Sequence, residues 1–262
     1  MDRTRFFEEL LAGDQHRGGI RCLEVFSLAP RYFSELQREV SRYRACNPAS
    51  VVSDEAHVTN WVSSSGQVRQ YSLLNDSGRS DDFSSDHNLS CRHKWFFDEP
   101  HYPVLGQFIN DWPDLVNFRI TTLGPGAALS PHEECLLFRT QSGGVGARLR
   151  FHLPIDTNPS AEVHLDGDVY HLREGMVYLF NQGCVHSARN LGPDTRVHLV
   201  WDSLLTTDLL EWLLYTRPSS RLMVHQVGAP TVLRKENPGA YRRLAPVVPT
   251  SEAHQLDVCQ RQ

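Results

Sequence analysis

The sequence has little that would mark a membrane, secreted or nucleic-acid-binding protein. No stretch of its 262 residues approaches the roughly 18 consecutive apolar residues that a membrane-spanning helix needs. The first residues mix charged and apolar side chains, unlike a signal peptide. The net charge is −5 and there are no basic runs, which argues against a nucleic-acid partner. We therefore expect a cytoplasmic protein with a small-molecule substrate and no membrane partner.

The cysteines also lack the spacing of a zinc site or a disulfide framework. There are six of them, and no two form a C-x-x-C pair. Hydrophobic residues make up 40% of the chain, enough for a sizeable core, and β-barrels of this length often form one domain. We expect a single domain over residues 1–262, in a reducing compartment.

The first 48 residues are predicted to form a helical buttress. Apolar side chains recur there at helical spacing between Pro30 and Cys46, at Phe33, Leu36, Val40 and Tyr43. Residues 49–116 are predicted to be irregular. Within them, the polar stretch 75–93 is either a functional lid or a disordered insert.

Residues 117–204 show the alternation of apolar and polar side chains that is typical of β-strands. Residues 148–155 carry apolar side chains at odd positions, and residues 196–202 follow much the same pattern. Asp166-Gly167, between two apolar runs, predicts a two-residue hairpin. Many short strands separated by turns predict a mainly β sandwich or barrel. Residues 205–262 are predicted to form a helix after Thr206 and then an irregular tail.

Two histidines and an acid form a candidate metal site. If His132 and Glu134 lie on one strand, the single residue between them places both side chains on the same face, whereas Glu133 would face the other way. His186 would reach the same metal from another strand, as a jelly roll allows. Two histidines and one carboxylate on one side of a metal form the facial triad of non-haem Fe(II) oxygenases. We predict that these residues are catalytic metal ligands, although a lone strand histidine is more often structural.

Two Arg-x-His pairs lie on the same predicted strands. They are Arg150 with His152 and Arg196 with His198. A buried arginine without a partner is costly, so an anionic ligand inside the barrel would supply the missing charge. Arg196 suits the far carboxylate of a dicarboxylic cosubstrate, because its planar fork matches a carboxylate with two parallel hydrogen bonds. Together with the metal triad, this predicts a 2-oxoglutarate-dependent dioxygenase.

Residues 121–202 resemble the aspartyl/asparaginyl β-hydroxylase family of Fe(II)/2-oxoglutarate dioxygenases, which includes bacterial hydroxylases of free proline and pipecolic acid. The matching blocks are Pro125-Gly126, Pro131-His132, Arg148 to Leu153, Glu174 to Phe180, His186-Ser187-Ala188 and Arg196 to Val200. The resemblance implies a cupin-like double-stranded β-helix (a jelly roll), on which we expect N-terminal and C-terminal helices to pack. It also implies Fe(II), 2-oxoglutarate and O₂, with ascorbate as the reductant in vitro.

The resemblance further implies roles for single residues. Arg196 would bind the C5 carboxylate of 2-oxoglutarate with help from Thr121, and His152 would contact the carboxylate nearer the metal. Arg150 would hold the carboxylate of the substrate or of the cosubstrate, and we predict the substrate. An acid of the polar stretch is expected to close over the substrate ammonium: Asp81, Asp82 or Asp86.

The substrate is predicted by resemblance alone. Free-amino-acid hydroxylases usually carry His-x-Asp where this chain has the longer Glu134, and some protein-directed members lack the acid. The helical repeats and membrane anchor of protein-directed relatives are missing here, so we expect a free amino acid such as L-proline or L-pipecolic acid, in antibiotic or other specialised metabolism.

Three alternatives stay open. They are a cupin-type metalloenzyme that does not use 2-oxoglutarate, a noncatalytic binding barrel, and hydroxylation of Asp or Asn in a peptide. Arg196 discriminates against the first, since such an enzyme needs no buried carboxylate clamp.

Overall fold

The structure of the protein is a computed structural model, and strand pairing organises most of it. The residues it describes are 3–14, 18–51, 68–83, 86, 94–134, 136–139 and 145–236. Residues 84, 85 and 87–93 of the polar stretch 75–93 therefore lie outside the described residues, and with them the choice between a lid and an insert. The helices are α1 (Arg3–Asp14), α2 (Pro30–Cys46), α3 (Pro103–Asn110) and α4 (Thr207–Tyr215).

Two antiparallel sheets contain the strands. The strands are β1 (Cys22–Leu28), β2 (Ser50–Val51), β3 (Val68–Ser72), β4 (Leu115–Leu123), β5 (Ala128–His132), β6 (Leu137–Arg139), β7 (Val145–Asp156), β8 (Ala161–Leu165), β9 (Asp168–Tyr170), β10 (Met176–Phe180), β11 (His186–Asn190), β12 (Arg196–Leu204), β13 (Leu222–Gly228) and β14 (Arg234–Lys235). The larger sheet has the order β13-β1-β10-β7-β12-β4-β3-β2, with β6 beside β7, and the smaller has β14-β9-β8-β11-β5.

The chain alternates between the two sheets from β4 to β12. β4, β7, β10 and β12 lie side by side in the larger sheet, and β5, β8, β9 and β11 lie together in the smaller one. This exchange is a double-stranded β-helix, so the predicted mainly β jelly roll is confirmed. The predicted hairpin joins β8 to β9, where Asp166 and Gly167 both have positive φ, as a tight type I′ turn requires.

Along β7 and β12, odd-numbered and even-numbered side chains lie on opposite faces of the larger sheet. Odd-numbered residues of β7 and β12 point away from the smaller sheet into an apolar core, which also contains residues of all four helices. Trp201 lies in this core, stacked on Phe118 with ring centroids 5.0 Å apart. Burying such a side chain contributes about 1.5–3 kcal/mol. The even-numbered residues, including Arg150 and Arg196, consequently face the space between the sheets.

The N-terminal prediction is confirmed in part. Helix α2 has the expected bounds, and its buried side chains are Tyr32, Leu36, Val40 and Tyr43, with Tyr32 in place of the expected Phe33. The helical prediction is wrong for residues 22–28, which form β1 between β10 and β13. The irregular prediction is likewise wrong for β3 and α3. Pairing with distant strands decides β1 and β3, and local patterns do not report it.

The C-terminal prediction also needs correction. Thr206 caps α4 as expected, since its Oγ1 accepts a hydrogen bond from the Leu209 N–H at 3.0 Å. The tail is not irregular throughout, because β13 pairs with β1 and β14 pairs with β9. In the part of the chain that the structure describes, no helix is long and apolar enough to cross a membrane.

Candidate metal and anion site

Two histidines meet because their strands are neighbours. His132 ends β5, His186 begins β11, and the two residues are directly paired across the strands, with ring centroids 4.2 Å apart. The Nδ1 atom of His132 lies 2.7 Å from the Ser130 carbonyl oxygen, and that of His186 lies 2.8 Å from the Cys184 carbonyl oxygen. When Nδ1–H donates to a carbonyl, the Nε2 lone pair is left for a metal.

Glu134 completes the group. Its Oε1 lies 3.7 Å from His132 Nε2 and 3.9 Å from His186 Nε2, and one ligand atom from each of the three residues lies within 4.8 Å of the others. Strand β5 ends at His132, so Glu134 follows the strand, contrary to the prediction. Its backbone N–H donates to the Gln182 carbonyl at 2.9 Å and keeps the side chain beside the histidines.

The donor set fits Fe(II). Burial and the neighbouring His132 lower the pKa of His186 to about 3, so its imidazole is neutral at physiological pH, as a metal ligand must be. Two imidazole nitrogens and one carboxylate oxygen on one side of a metal are the donor set of non-haem Fe(II) oxygenases. His132, Glu134 and His186 would hold the metal.

Arg150 lies against two carboxylates. It donates to both oxygens of Glu134, with Nη2 2.8 Å from Oε2, and its Nε donates to Asp202 Oδ1 at 2.8 Å. Burial by itself would raise the pKa of Glu134. The charges of Arg150 and Arg148, together with hydrogen bonds from Arg150 and His132, outweigh burial and hold that pKa well below its usual range. Arg148 lies at the edge of this cluster, 3.5 Å from Glu134 Oε2 and 3.6 Å from Asp202 Oδ2.

Arg196, unlike Arg150, has no carboxylate partner among the described residues. It is 2% exposed, and its guanidinium contacts the His198 imidazole at 3.0 and 2.6 Å. Among the described residues, no carboxylate lies within ion-pair distance of it. Burial alone lowers the pKa of Arg196 to about 9, and burial with the charge of Arg196 keeps the pKa of His198 well below its usual value. The guanidinium is therefore a buried cation beside a neutral imidazole.

His152 has a buried polar atom with no hydrogen-bond partner in the described structure, its Nε2. Burial and then the charge of Arg196 lower the pKa of His152, so this imidazole is neutral too. Thr121 lies opposite His198 in the pairing of β4 with β12. The residues predicted to bind the cosubstrate are Arg196, Thr121 and His152. They lie on three neighbouring strands, β12, β4 and β7, which form one wall of the site.

One cavity, of about 90 Å³, joins these groups to the metal site. Its lining includes all seven predicted site residues: Thr121, His132, Glu134, Arg150, His152, His186 and Arg196. Asp202 and Arg119 were not predicted as site residues, although Arg119 lines the cavity and Asp202 binds Arg150. Parity is the signal that could have found Asp202, because it lies at even spacing from Arg196 and His198 on the same strand.

The three acids of the polar stretch lie in different surroundings. Asp81 pairs with Arg79 at the surface, and Asp82 accepts a hydrogen bond from Ser77. Asp86 is fully buried and receives the Arg119 Nε–H at 2.6 Å. Asp86 thus contacts Arg119, a residue of the cavity wall.

The sequence match bears on the class of enzyme. Residues 87–204, just under half of the chain, match the family described as Aspartyl/Asparaginyl beta-hydroxylase. This range contains every predicted site residue. The predicted resemblance is confirmed, and with it the enzyme class, a dioxygenase that uses Fe(II) and 2-oxoglutarate.

Several solved structures are similar at a greater distance. SnoN, a non-heme alpha-ketoglutarate-dependent epimerase from nogalamycin biosynthesis, is 14% identical over 88% of this chain and 94% of its own, with a TM-score of 0.45. A Pseudomonas putida prolyl-4-hydroxylase is 15% identical over 74% and 98%, with a TM-score of 0.41. HygX from Streptomyces hygroscopicus, solved with nickel, 2-oxoglutarate and hygromycin B, is 10% identical over 71% and 82%, with a TM-score of 0.39. None of the three bears on what this chain acts on.

Proposed function

We propose that this chain hydroxylates a free amino acid at the His132, Glu134 and His186 site, with L-proline and L-pipecolic acid as the first candidates. Fe(II) with 2-oxoglutarate and O₂ supplies the oxidant that replaces a C–H bond by C–OH. The residues around the site bind the cosubstrate, orient the substrate and exclude water.

The observation that carries the proposal is the buried Arg196 beside the candidate metal site. A buried cation without a counter-charge is destabilising by several kcal/mol, so the fold retains it at a cost. A carboxylate in the cavity would provide the counter-charge, and the unpartnered Nε2 of His152 would serve a second polar group of the same ligand. 2-Oxoglutarate carries a carboxylate at each end and fits both demands.

A second candidate is an Asp or Asn side chain in a peptide, which the family match favours. An Asp side chain would bring the same carboxylate as a free amino acid. The two candidates differ at the substrate amine, which is free in one and acylated in the other.

The test is turnover by the Fe(II)-loaded protein with 2-oxoglutarate, O₂ and ascorbate. Succinate and the mass gain of one oxygen atom are followed for free amino acids, for their N-acetyl amides, and for Asp- and Asn-containing peptides. Product from a free imino acid and none from its N-acetyl amide is expected. Product from peptides alone would establish the second candidate, and no 2-oxoglutarate decay with any compound would overturn both. His186→Ala is the inactive control.

A further inference from the structure

The Glu134 carboxylate has two oxygens in unlike surroundings. Oε1 faces the two imidazoles, at 3.7 Å from His132 Nε2 and 3.9 Å from His186 Nε2. Oε2 faces the guanidinium groups, at 2.8 Å from Arg150 Nη2 and 3.5 Å from Arg148 Nη2. Oε1 also accepts a hydrogen bond from Arg150 Nη1. Since each carboxylate oxygen has about two lone-pair sites, Oε1 keeps one that faces the imidazoles, whereas Oε2 accepts from both arginines.

Arg150 is itself held from the neighbouring strands. It pairs with Asp202 across β7 and β12, and its Nε and Nη2 donate to the two oxygens of Asp202 at 2.8 and 3.1 Å. Asn117 on β4 in turn donates to Asp202 Oδ2 at 2.9 Å and accepts the Asp202 N–H at 3.1 Å. Asp202 is fully buried. A chain of contacts from Asn117 through Asp202 and Arg150 thus ends on Glu134.

We propose that Arg150, fixed by Asp202, is a positioning residue that holds Glu134 as a ligand through Oε1 alone. Three open metal positions are needed for 2-oxoglutarate and O₂, and a carboxylate that bound through both oxygens would take one of them. Glu134 also has one more rotatable bond than an aspartate and is 23% exposed, so it gains more from being held. The inference rests on the proposed function.

The rival role for Arg150 is the predicted one, a clamp for the substrate carboxylate. Its N–H groups already meet Glu134 and Asp202, so a substrate would have to displace one of them. The rival predicts that replacing Arg150 leaves metal binding unchanged and impairs only the use of substrate.

Simple charge repulsion predicts a third result. Removing a cation near a divalent metal should strengthen metal binding, because like charges repel. Positioning predicts the opposite sign, since a freed Glu134 loses its orientation. The sign of the change in metal affinity therefore separates the two effects.

The experiment measures Mn(II) and Co(II) affinity by competition with a chelator, with no 2-oxoglutarate or substrate present. Arg150→Met is expected to weaken binding about 10–100-fold, the usual range for partners of metal ligands, and Asp202→Asn to weaken it less. The visible spectrum of the Co(II) protein is expected to change in Arg150→Met, because bidentate Glu134 would raise the coordination number. Arg173→Met, which removes a surface partner of Glu24, is the matched control and should bind metal as the unmodified protein does.

Two further variants keep the result interpretable. Arg150→Lys keeps the charge without the fork and should recover only part of the affinity, which covers the case in which Arg150→Met does not fold. In a Glu134→Ala background, Arg150→Met should have no further effect. Unchanged or tighter binding by Arg150→Met or Arg150→Lys would overturn the positioning role. Failure of the unmodified protein to bind either metal would instead overturn the proposed function.

Discussion

Two Arg-x-His sequences lie on adjacent strands, and their arginines have opposite surroundings. Arg150 on β7 lies between the carboxylates of Glu134 and Asp202, whereas Arg196 on β12 meets His198 and, among the described residues, no carboxylate. Both guanidinium groups are buried, so both lose most of their hydration. The protein itself supplies the counter-charge of Arg150, and we infer that a ligand supplies that of Arg196.

The different surroundings of Arg150 and Arg196 correspond to different roles, one in the structure of the protein and one in ligand binding. An arginine with its carboxylates in place contributes to stability and to the geometry of its neighbours, and its removal leaves buried anions behind. An arginine without them costs stability until a ligand binds. Equivalent substitutions at the two positions should therefore change the stability of the free protein in different directions.

The largest expected effect is on stability. Arg150→Met should lower the free energy of unfolding by about 3–5 kcal/mol, because it leaves Glu134 and Asp202 with Arg148 as their remaining arginine partner, at the longer distances of 3.5 and 3.6 Å. Arg196→Met should leave that free energy unchanged or raise it. Urea denaturation of the ligand-free proteins measures both. Equal losses of unfolding free energy in the two variants would show that Arg150 and Arg196 do not differ in this way.

Cosubstrate affinity should depend on Arg196. A charged bidentate hydrogen bond contributes about 1.5–3 kcal/mol, so Arg196→Met should weaken 2-oxoglutarate binding roughly ten- to a hundredfold. Arg196→Lys should recover little, because an ammonium cannot form the two parallel bonds. Titration of the Mn(II)-loaded protein measures this, with unchanged Mn(II) affinity as the control. Unaltered 2-oxoglutarate affinity in Arg196→Met would show that Arg196 does not bind the cosubstrate.

Acid should weaken the cluster around Arg150. Burial raises the pKa of Asp202, but the charges of Arg150 and Arg148 outweigh it and set that pKa below its usual range. The stabilisation is thus fully present above the unfolded pKa of about 3.9 and is lost as the pH falls towards the folded value. Below about pH 4 each such carboxylate lowers the free energy of unfolding by about 1.4 kcal/mol per pH unit. Asp202→Asn should have a shallower acid limb in urea denaturation, and an identical slope would contradict the assignment.

The smallest expected effect belongs to Thr121. Loss of one hydroxyl hydrogen bond to the cosubstrate costs about 0.5–1.5 kcal/mol, so Thr121→Val should weaken 2-oxoglutarate binding roughly three- to tenfold. Thr122→Val is the matched control, because the Thr122 hydroxyl donates to the Arg69 carbonyl on the opposite strand face. A larger effect of the Thr122 change would exclude Thr121 from the cosubstrate wall.

Much of the fold was predictable because the alternation of side chains along a strand involves only neighbouring residues. The alternation along β7 and β12 follows from side chains that point to opposite faces of a strand, and it assigned Trp201 to the core and Arg196 to the interior. The helix α2 and its Pro30 start were predictable for a similar reason. Strands β1 and β13 were not, since their extended form depends on each other and on β10.

By itself, the sequence determined which strand side chains enter the interior: His132 and His186, and the two arginines with their histidines. The alternation of apolar and polar side chains along a strand can be recognised from neighbouring residues alone. The counter-charge of each arginine was decided by the tertiary structure alone. Asp202 lies opposite Arg150 through the register of two strands, and Glu134 reaches Arg150 from beyond the end of β5 in the other sheet. Such contacts join residues far apart in the chain, and local periodicity holds no information about them.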